Sequence, residues 1–166
     1  MPPAVASRPA APDDLPAINS LHRRAFSPGR FARTAYRIRE GTALISPYCR
    51  VAERDGRLIA AVRFTPVTVG AKSGVLLLGP LAVVPELAGQ GIGRTLAAEA
   101  IDNARNQGMA LVLLVGDEPY YRRLGFVRVP EGQITLQGPV DPSRLLALEL
   151  RDGALADYAG VVAAEP

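Results

Sequence analysis

The sequence contains little of what metal sites, disulfides and aromatic surfaces are built from. Its 166 residues include one cysteine, Cys49, one histidine, His22, and no tryptophan. A single cysteine excludes an intramolecular disulfide, and two soft ligands are too few for a zinc site, so the sequence predicts no metal. His22 lies on the apolar side of a predicted helix, where a packed role is favoured over that of a general base.

Long hydrophobic runs and long basic tracts are also missing. No apolar run reaches transmembrane length, and no apolar stretch follows a basic segment at the N-terminus. We therefore expect no membrane association and, by default, a cytoplasmic location. The net charge of +3 is mild and no basic tract carries interleaved aromatics, so nucleic acid is not an expected partner.

What the chain has in quantity is apolar sequence interrupted by glycine and proline. Hydrophobic residues make up 48% of it, with 16 glycines and 15 prolines. This is enough for one hydrophobic core at this length. We predict a single domain over residues 1–166, without internal repeats and with flexible ends at residues 1–4 and 160–166.

The most informative stretch begins as a strand and ends as a helix. Residues 75–84 are apolar except for Gly79 and Pro80, which is typical of a strand buried on both faces. Because Pro80 cannot donate to a sheet ladder, we expect a bulge there that leaves backbone groups of the strand available. A helical pattern at residues 91–107 follows a loop with glycines at alternate positions: Gly89, Gly91 and Gly93.

This junction of strand, glycine loop and helix N-terminus suits an anion. The first N–H groups of a helix have no partner within it, the helix dipole adds positive potential, and glycines allow a ligand to approach closely. Arg94 and Thr95 add a charge and a hydroxyl. The spacing fits neither the dinucleotide motif G-x-G-x-x-G nor the Walker motif G-x-x-x-x-G-K-[ST], because other residues occupy required glycine and lysine positions.

The remaining elements follow from periodicity and turn residues. The predicted helices before the central stretch run from Asp13 or Asp14 to residue 25 and over residues 30–40. The predicted strands lie at residues 5–8, 48–53, 58–69, 109–115, 133–136 and 145–150. Asp55-Gly56 marks a hairpin, and residues 70–74 form the next turn. The strand, helix and strand from residue 75 to 115 imply a right-handed crossover and parallel pairing.

Two motifs in this order resemble the GNAT family of N-acetyltransferases. The first is Ala88-Gly89-Gln90-Gly91-Ile92-Gly93, which is similar to the family's R/Q-x-x-G-x-G/A loop between its fourth strand and third helix. The second lies in residues 116–126, where a tyrosine, Tyr121, stands before Leu-Gly-Phe as it does in the family. Residues 138–155 further resemble the YhbS-like branch of that family.

The resemblance implies a fold and a reaction. The implied fold class is α/β, or more closely an α+β mixed sheet. Antiparallel N-terminal strands precede a strand-loop-helix-strand unit for acetyl-CoA, and the fourth and fifth strands splay apart. The implied reaction is direct transfer of an acetyl group from acetyl-CoA to an amine, without a metal or a covalent enzyme intermediate. A homodimer is left open.

The resemblance also implies site residues. The loop would hold the pyrophosphate of acetyl-CoA, and the strand edge would pair with the pantetheine amides. Tyr121 is the implied acid for the departing thiolate, and the Val83 N–H is the implied donor to the thioester carbonyl. The candidate cofactor-binding residues are Leu81, Ala82, Val83, Gly89, Gln90, Gly91, Ile92, Gly93, Arg94, Thr95, Asp117 and Tyr120, although a packing role competes for Tyr120.

Two questions stay open in the sequence. The general base is one of Asp117, Glu118 and Glu53, or a chain of ordered water. Ala88 departs from the family pattern because it offers no side-chain donor where the family has Gln or Arg, so pyrophosphate contacts fall on backbone amides and on nearby side chains. This departure supports a second hypothesis, a non-catalytic acyl-CoA-binding module. A third, a nucleotide-binding protein, requires ATP or NAD to compete with CoA.

Overall fold

The computed structural model describes residues 5–25 and 43–165. Its α-helices are α1 (Leu15–Ala25), α2 (Ile92–Asn106) and α3 (Glu118–Arg122). Its strands are β1 (Ala6–Pro9), β2 (Arg50–Arg54), β3 (Arg57–Val69), β4 (Lys72–Val83), β5 (Leu111–Val115), β6 (Val127–Arg128), β7 (Ile134–Thr135), β8 (Leu145–Glu149) and β9 (Gly160–Ala164). The helix predicted at residues 30–40 and the end predicted at residues 1–4 lie outside the described residues.

The strands form a mixed sheet in the order β1-β2-β3-β4-β5-β8-β6, with β9 paired to β3 and β7. Strands β1, β2, β3 and β4 pair antiparallel with one another in sequence, β4 and β5 pair parallel, and β8 is antiparallel to β5 and β6. This arrangement confirms the predicted fold class. The first strand lies at the sheet edge, as predicted, and begins one residue later than expected.

The predicted hairpin joins β2 to β3. Asp55 and Gly56 have φ angles of 55° and 72°, the left-handed conformation that a two-residue type I′ turn requires. The next turn is shorter than predicted, because Val69 already pairs with Lys72. The prediction started β4 at its first apolar residue, whereas pairing with β3 extends the strand into polar sequence.

Strands β4 and β5 diverge towards their carboxyl ends. Their parallel pairing runs from Val75 with Leu111 to Leu77 with Leu113. Beyond it β4 continues to Val83, still paired with β3, and β5 continues to Val115. The two strands therefore stop pairing before they end, as the predicted splay requires, and the region between their unpaired ends is called the cleft.

A bulge lies on β4 at the start of this divergence. Phe64 of β3 pairs with Leu78, and Val62 pairs with Leu81. One residue of β3 thus stands opposite the two residues Gly79 and Pro80, which confirms the bulge predicted there.

Helix α2 covers the sheet beside the cleft. Leu96, Ala100 and Ala104 recur every four residues and are buried against β2, β3 and β4. Helix α1 adds Ile18 and Leu21 to the same core. Among the described residues, no helix is both long enough and apolar enough to span a bilayer.

The chain's C-terminal segment corrects one prediction. Residues 160–166 were expected to form a flexible end, but Gly160–Ala164 is a strand, β9, and Val162 within it is fully buried. It pairs with Val67 to Val69, the part of β3 that extends beyond β2. An unpaired strand edge is a template for a further strand. The small residues of this segment did not predict a strand, because its formation depends on the free edge of β3.

Candidate active site

The end of β4 presents alternate backbone groups to the cleft. Val84 donates its N–H to the Ile59 carbonyl of β3 at 2.8 Å. Because backbone groups alternate between the two edges of a strand, Leu81 and Val83 direct theirs away from β3 and into the cleft. Ala82, also a candidate cofactor contact, pairs with β3 and has a buried side chain. The structure therefore brings two of these three residues to the cleft.

The N-terminus of α2 opens beside this strand edge. Gly91 is the N-cap, with a φ of 80°, and it offers no side-chain acceptor to the helix. The first intrahelical bond runs from the Thr95 N–H to the Gly91 carbonyl at 3.0 Å, so the preceding N–H groups point out of the helix end. A guanidinium nitrogen of Arg94 lies 3.6 Å from where a Cβ of Gly91 would be. This end of the helix is suited to phosphate.

Gly93 lies where α2, β4 and α3 meet. A Cβ at this position would be 3.1 Å from Val83 Cγ2, 3.3 Å from the Tyr120 hydroxyl and 3.7 Å from Leu81 Cδ2. The first two distances are shorter than ordinary contacts, so a side chain at this position would require Val83 and Tyr120 to shift by a few tenths of an ångström. Three predicted site residues thus surround Gly93 at the mouth of the cleft.

The two tyrosines of α3 have different surroundings. Their rings pack edge to face, with centroids 4.9 Å apart. Tyr121 also packs against Phe126, and its Cε2 lies 2.9 Å from where a Cβ of Gly116 would be, at the end of β5. Tyr120 is 37% exposed, yet its hydroxyl reaches α2. The pair therefore lines the cleft from β5 to the helix N-terminus.

Burial and charge act in opposite directions on Tyr120. Burial raises the pKa of its phenol above the ordinary value, and the nearby positive charge of Arg94 partly offsets the rise. The hydroxyl therefore stays protonated at neutral pH, and it can donate a hydrogen bond.

Glu118 holds α3 in place. Its carboxylate contacts Arg122 at 2.9 Å and Arg128 of β6 at 2.8 Å, and its side chain is only 16% exposed. The Arg122 hydrogen bond, followed by that of Arg128, lowers the pKa of Glu118. A carboxylate with a lowered pKa and two cationic partners is a weak base, so the structure argues against Glu118 as the general base.

We expect the Glu118→Gln variant to melt at a lower temperature than the wild type at about pH 7. The difference between the two melting temperatures should disappear at acidic pH. The folded-state pKa lies below the unfolded value of about 4.3, so the stabilisation is complete above that value and is lost as pH falls through the folded pKa. Thermal melting between about pH 3 and 7 measures it, with the exposed Glu131→Gln as control. A difference in melting temperature that is the same at about pH 3 and pH 7 would contradict the prediction.

The other two candidate bases, Glu53 and Asp117, lie at different distances from the cleft. Glu53 lies on β2, is paired with Arg8 at 2.5 Å, and is separated from β4 by β3. Asp117 is exposed at the N-cap of α3, and its carbonyl accepts the Tyr121 N–H at 3.1 Å. The structure thus separates Glu53 from the cleft and leaves Asp117 beside the tyrosines.

Several predicted loop residues face a different space. Gln90, Ile92 and Thr95 line a cavity of about 240 Å³ between α2 and the first two strands. Ser7 of β1 and Glu99 of α2 also line this cavity, and they are hydrogen-bonded to each other. Sequence reasoning missed this pair because Ser7 and Glu99 are far apart in the chain and neither belongs to a motif. Gly89 is exposed, with a φ of 80°.

Cys49 is buried away from the cleft. It is 2% exposed, and its sulfur contacts the backbone of Phe64 at 3.5 Å to the nitrogen and 3.6 Å to the oxygen. A cysteine buried in this way packs as a small hydrophobic residue. In residues 5–25 and 43–165 no three His, Cys, Asp or Glu side chains come together as metal ligands.

A sheet that opens between two parallel strands, with an uncapped helix N-terminus and a tyrosine-bearing helix at its mouth, defines a domain for an extended, phosphate-bearing ligand. Residues 15–126, well over half of the chain, match the model of the Acetyltransferase (GNAT) family. The chain belongs to this family, and it is an acyltransferase. The family predicted from the two motifs is thereby confirmed.

Known relatives extend the likeness over the whole chain. The uncharacterized N-acetyltransferase YhbS of Escherichia coli strain K12 is 32% identical over 152 residues, which cover 91% of this chain and 90% of that protein. The crystal structure of Escherichia coli YhbS in complex with CoA has a TM-score of 0.85 and 30% identity, covering 99% of this chain and 92% of that one. The crystal structure of a GNAT family acetyltransferase from Brucella melitensis in complex with acetyl-CoA has a TM-score of 0.72 and 26% identity, covering 98% of this chain and 96% of that one.

Proposed function

We propose that this protein is an acetyl-CoA-dependent N-acetyltransferase that moves an acetyl group to a primary amine of a small molecule or peptide by direct attack. The observation that carries the proposal is the strand edge at Leu81 and Val83, which opens beside the uncapped N-terminus of α2. The relatives crystallised with CoA and acetyl-CoA support the choice of ligand. We place the reaction in the cytoplasm, where acetyl-CoA is made.

The cleft matches the parts of acetyl-CoA in order. The N–H groups at the start of α2 and the Arg94 guanidinium suit the pyrophosphate, which compensates for the missing side-chain donor at Ala88. The cleft-facing groups of Leu81 and the carbonyl of Val83 suit the pantetheine amides, which would pair with them as an added strand does. The Cβ position of Gly89 has no other atom of the described residues within 4 Å and that of Gly91 has only an Arg94 guanidinium nitrogen at 3.6 Å, so a ligand can approach the loop backbone closely.

The reaction needs an electrophile, a donor to its oxygen and an acid. Acetyl-CoA supplies an activated thioester. The Val83 N–H donates to the thioester oxygen and stabilises the charge that develops there. A C–N bond forms between the amine and the acyl carbon, the C–S bond breaks, and the Tyr121 hydroxyl gives its proton to the sulfur. The proton of the amine leaves to Asp117 or to ordered water.

Direct attack is favoured over an acyl-enzyme intermediate. The only thiol of the chain, Cys49, is buried and contacts the backbone of Phe64. A covalent route needs an accessible nucleophile activated by a neighbouring base. The histidine that would most often provide that base occurs once in the chain, on α1.

The test combines turnover with binding. Purified protein is incubated with acetyl-CoA and a panel of primary amines, free thiol is measured, and CoA binding is titrated calorimetrically on the same preparation. We expect CoA binding, and thiol release that depends on at least one amine. Binding without turnover on any amine would favour the non-catalytic module, and displacement of CoA by ATP or NAD would favour a nucleotide-binding protein.

A further inference from the structure

The two faces of the sheet carry different side chains beside the cleft. Arg50, Val62 and Leu81 pair across β2, β3 and β4, so their side chains share one face. Helix α2 covers that face, because an Arg50 guanidinium nitrogen lies 3.8 Å from the Glu99 carboxylate of the helix. Arg63 directly follows Val62, and side chains alternate along a strand, so Arg63 lies on the opposite face.

A row of three residues on this opposite face marks the closed end of the cleft. Thr65 of β3 pairs with Leu77 of β4, and Leu77 pairs with Leu113 of β5 in the last pair between those two strands. Two residues further towards the open end, the same face carries Arg63 on β3 and Val115 on β5. Val115 is apolar and partly buried. A cation and an apolar side chain therefore lie on the two sides of the cleft.

Thr65 contributes a hydroxyl that the fold does not use. The residue is 1% exposed, and its Oγ1 has no hydrogen-bond partner in the described part of the chain. A buried hydroxyl without a partner costs free energy, and buried polar groups in folded proteins are nearly always paired. The position of this hydroxyl at the closed end of the cleft favours a partner that is supplied by a bound molecule.

Arg63 places a guanidinium on the same face as this hydroxyl. Its Nη2 donates to the Ala43 carbonyl at 3.0 Å, and the residue is partly exposed. Neighbouring strands are about 4.8 Å apart, a distance that the three-carbon stem of an arginine spans, so the single strand β4 does not keep Arg63 from the cleft. A planar guanidinium binds carboxylates through two parallel hydrogen bonds, and a hydroxyl adds a further donor.

We propose that Arg63 and Thr65 bind an anionic group of the acceptor, so that the substrate is a primary amine that also carries a carboxylate. This inference rests on the proposed function. The phosphate site lies at the N-terminus of α2, so the cofactor reaches the strand edge from that face and the amine has to approach from the other. On that other face Arg63 and Thr65 receive the carboxylate, and Val115 packs against the carbon chain between the two groups.

Paired amines test the proposal. Linear amino carboxylates from β-alanine to ε-aminocaproate are each compared with their own neutral amide, with acetyl-CoA as donor. At the preferred chain length we expect the wild-type kcat/KM for the carboxylate to exceed that for the amide by about 10- to 100-fold, the usual contribution of a hydrogen-bonded charged pair. In Arg63→Gln this preference should disappear, while kcat/KM for the amide stays within about threefold. Calorimetric titration of the CoA-bound protein with the same pairs measures the preference as a ratio of Kd values.

A second variant and a matched control separate binding from folding. Thr65→Val keeps the size of the side chain and removes the hydroxyl. We expect about tenfold lower kcat/KM for the carboxylate and a melting temperature no lower than that of the wild type, since no described residue loses a hydrogen bond. Arg151→Gln is the control for Arg63→Gln. Arg151 pairs with Asp157 beside the start of β5, at the end away from the cleft, so its loss should leave the preference unchanged.

Two outcomes would overturn the inference. One is a wild-type protein that prefers no carboxylate of the panel over its amide. The other is an Arg63→Gln variant that loses the same factor on both members of a pair, which would make the arginine a structural residue. Failure of the proposed function is distinguishable from both, because the wild-type protein would then release no thiol with any amine, whereas here the neutral amides still react.

Discussion

Calorimetric titration of Gly93→Glu with CoA is expected to show affinity reduced by about 100-fold or more. The new Cβ would lie 3.1 Å from Val83 and 3.3 Å from the Tyr120 hydroxyl, so the side chain fills the mouth of the cleft. Its carboxylate adds negative charge at the helix N-terminus that we propose for the ligand's phosphates, where it would compete for the same N–H groups. Charge-assisted hydrogen bonds contribute about 1.5 to 3 kcal/mol each, so the loss of two is sufficient for this effect.

Three further variants make this result interpretable. Gly93→Ala places only the Cβ in the same space, so its effect should be smaller and independent of charge. Asn106→Glu adds the same charge at the other end of α2, and CoA affinity should stay at the wild-type value. Arg94→Glu tests the anion site if Gly93→Glu does not fold. A folded Gly93→Glu with the wild-type Kd would refute the assignment of the loop.

The second large effect is expected for Tyr121→Phe. Phenylalanine keeps the ring and its packing on Phe126, but it removes the hydroxyl that we assign to protonation of the thiolate. General acid catalysis is typically worth about 10² to 10⁴ in rate, so kcat should fall within that range while CoA affinity changes little. Steady-state kinetics with acetyl-CoA and a saturating amine measure it.

A purely structural tyrosine would behave differently. Loss of a buried, hydrogen-bonded hydroxyl costs about 1 kcal/mol or more of stability, and turnover per folded molecule would stay nearly intact. Thermal melting on the same preparation separates the two cases. A Tyr121→Phe enzyme with wild-type kcat would remove the proposed acid and leave the thiolate to be protonated by water.

Features that depend on one residue's backbone chemistry could be predicted. Asp55-Gly56 indicated the hairpin because few other pairs adopt two successive left-handed conformations. Gly79-Pro80 indicated the bulge because proline cannot donate to the ladder. The helix start at Gly91 and the parallel pairing of β4 with β5 followed in the same way from local pattern and chain connectivity.

Features that depend on pairing between distant parts of the chain could not be predicted from the sequence. Strand β9 forms because β3 extends beyond β2 and leaves an edge for residues 160–164 to pair with. The sequence of residues 160–164 does not indicate how long β3 is. Ser7 and Glu99 are hydrogen-bonded to each other beside the cavity although they are 92 positions apart in the chain. The sequence left a packing role open for Tyr120, whereas the structure places its hydroxyl 3.3 Å from the Cβ position of Gly93 on α2.

The amino-acid order alone was sufficient for the family, for the glycine loop and for the splayed strand. Each of these requires particular residues within a short stretch, where steric limits on φ and on hydrogen bonding act directly. The three-dimensional packing decided which backbone groups of β4 face the cleft, which tyrosine hydroxyl reaches α2, and why Glu118 is a poor base. These depend on distances between elements, and such distances are set only when the whole sheet and its helices pack together.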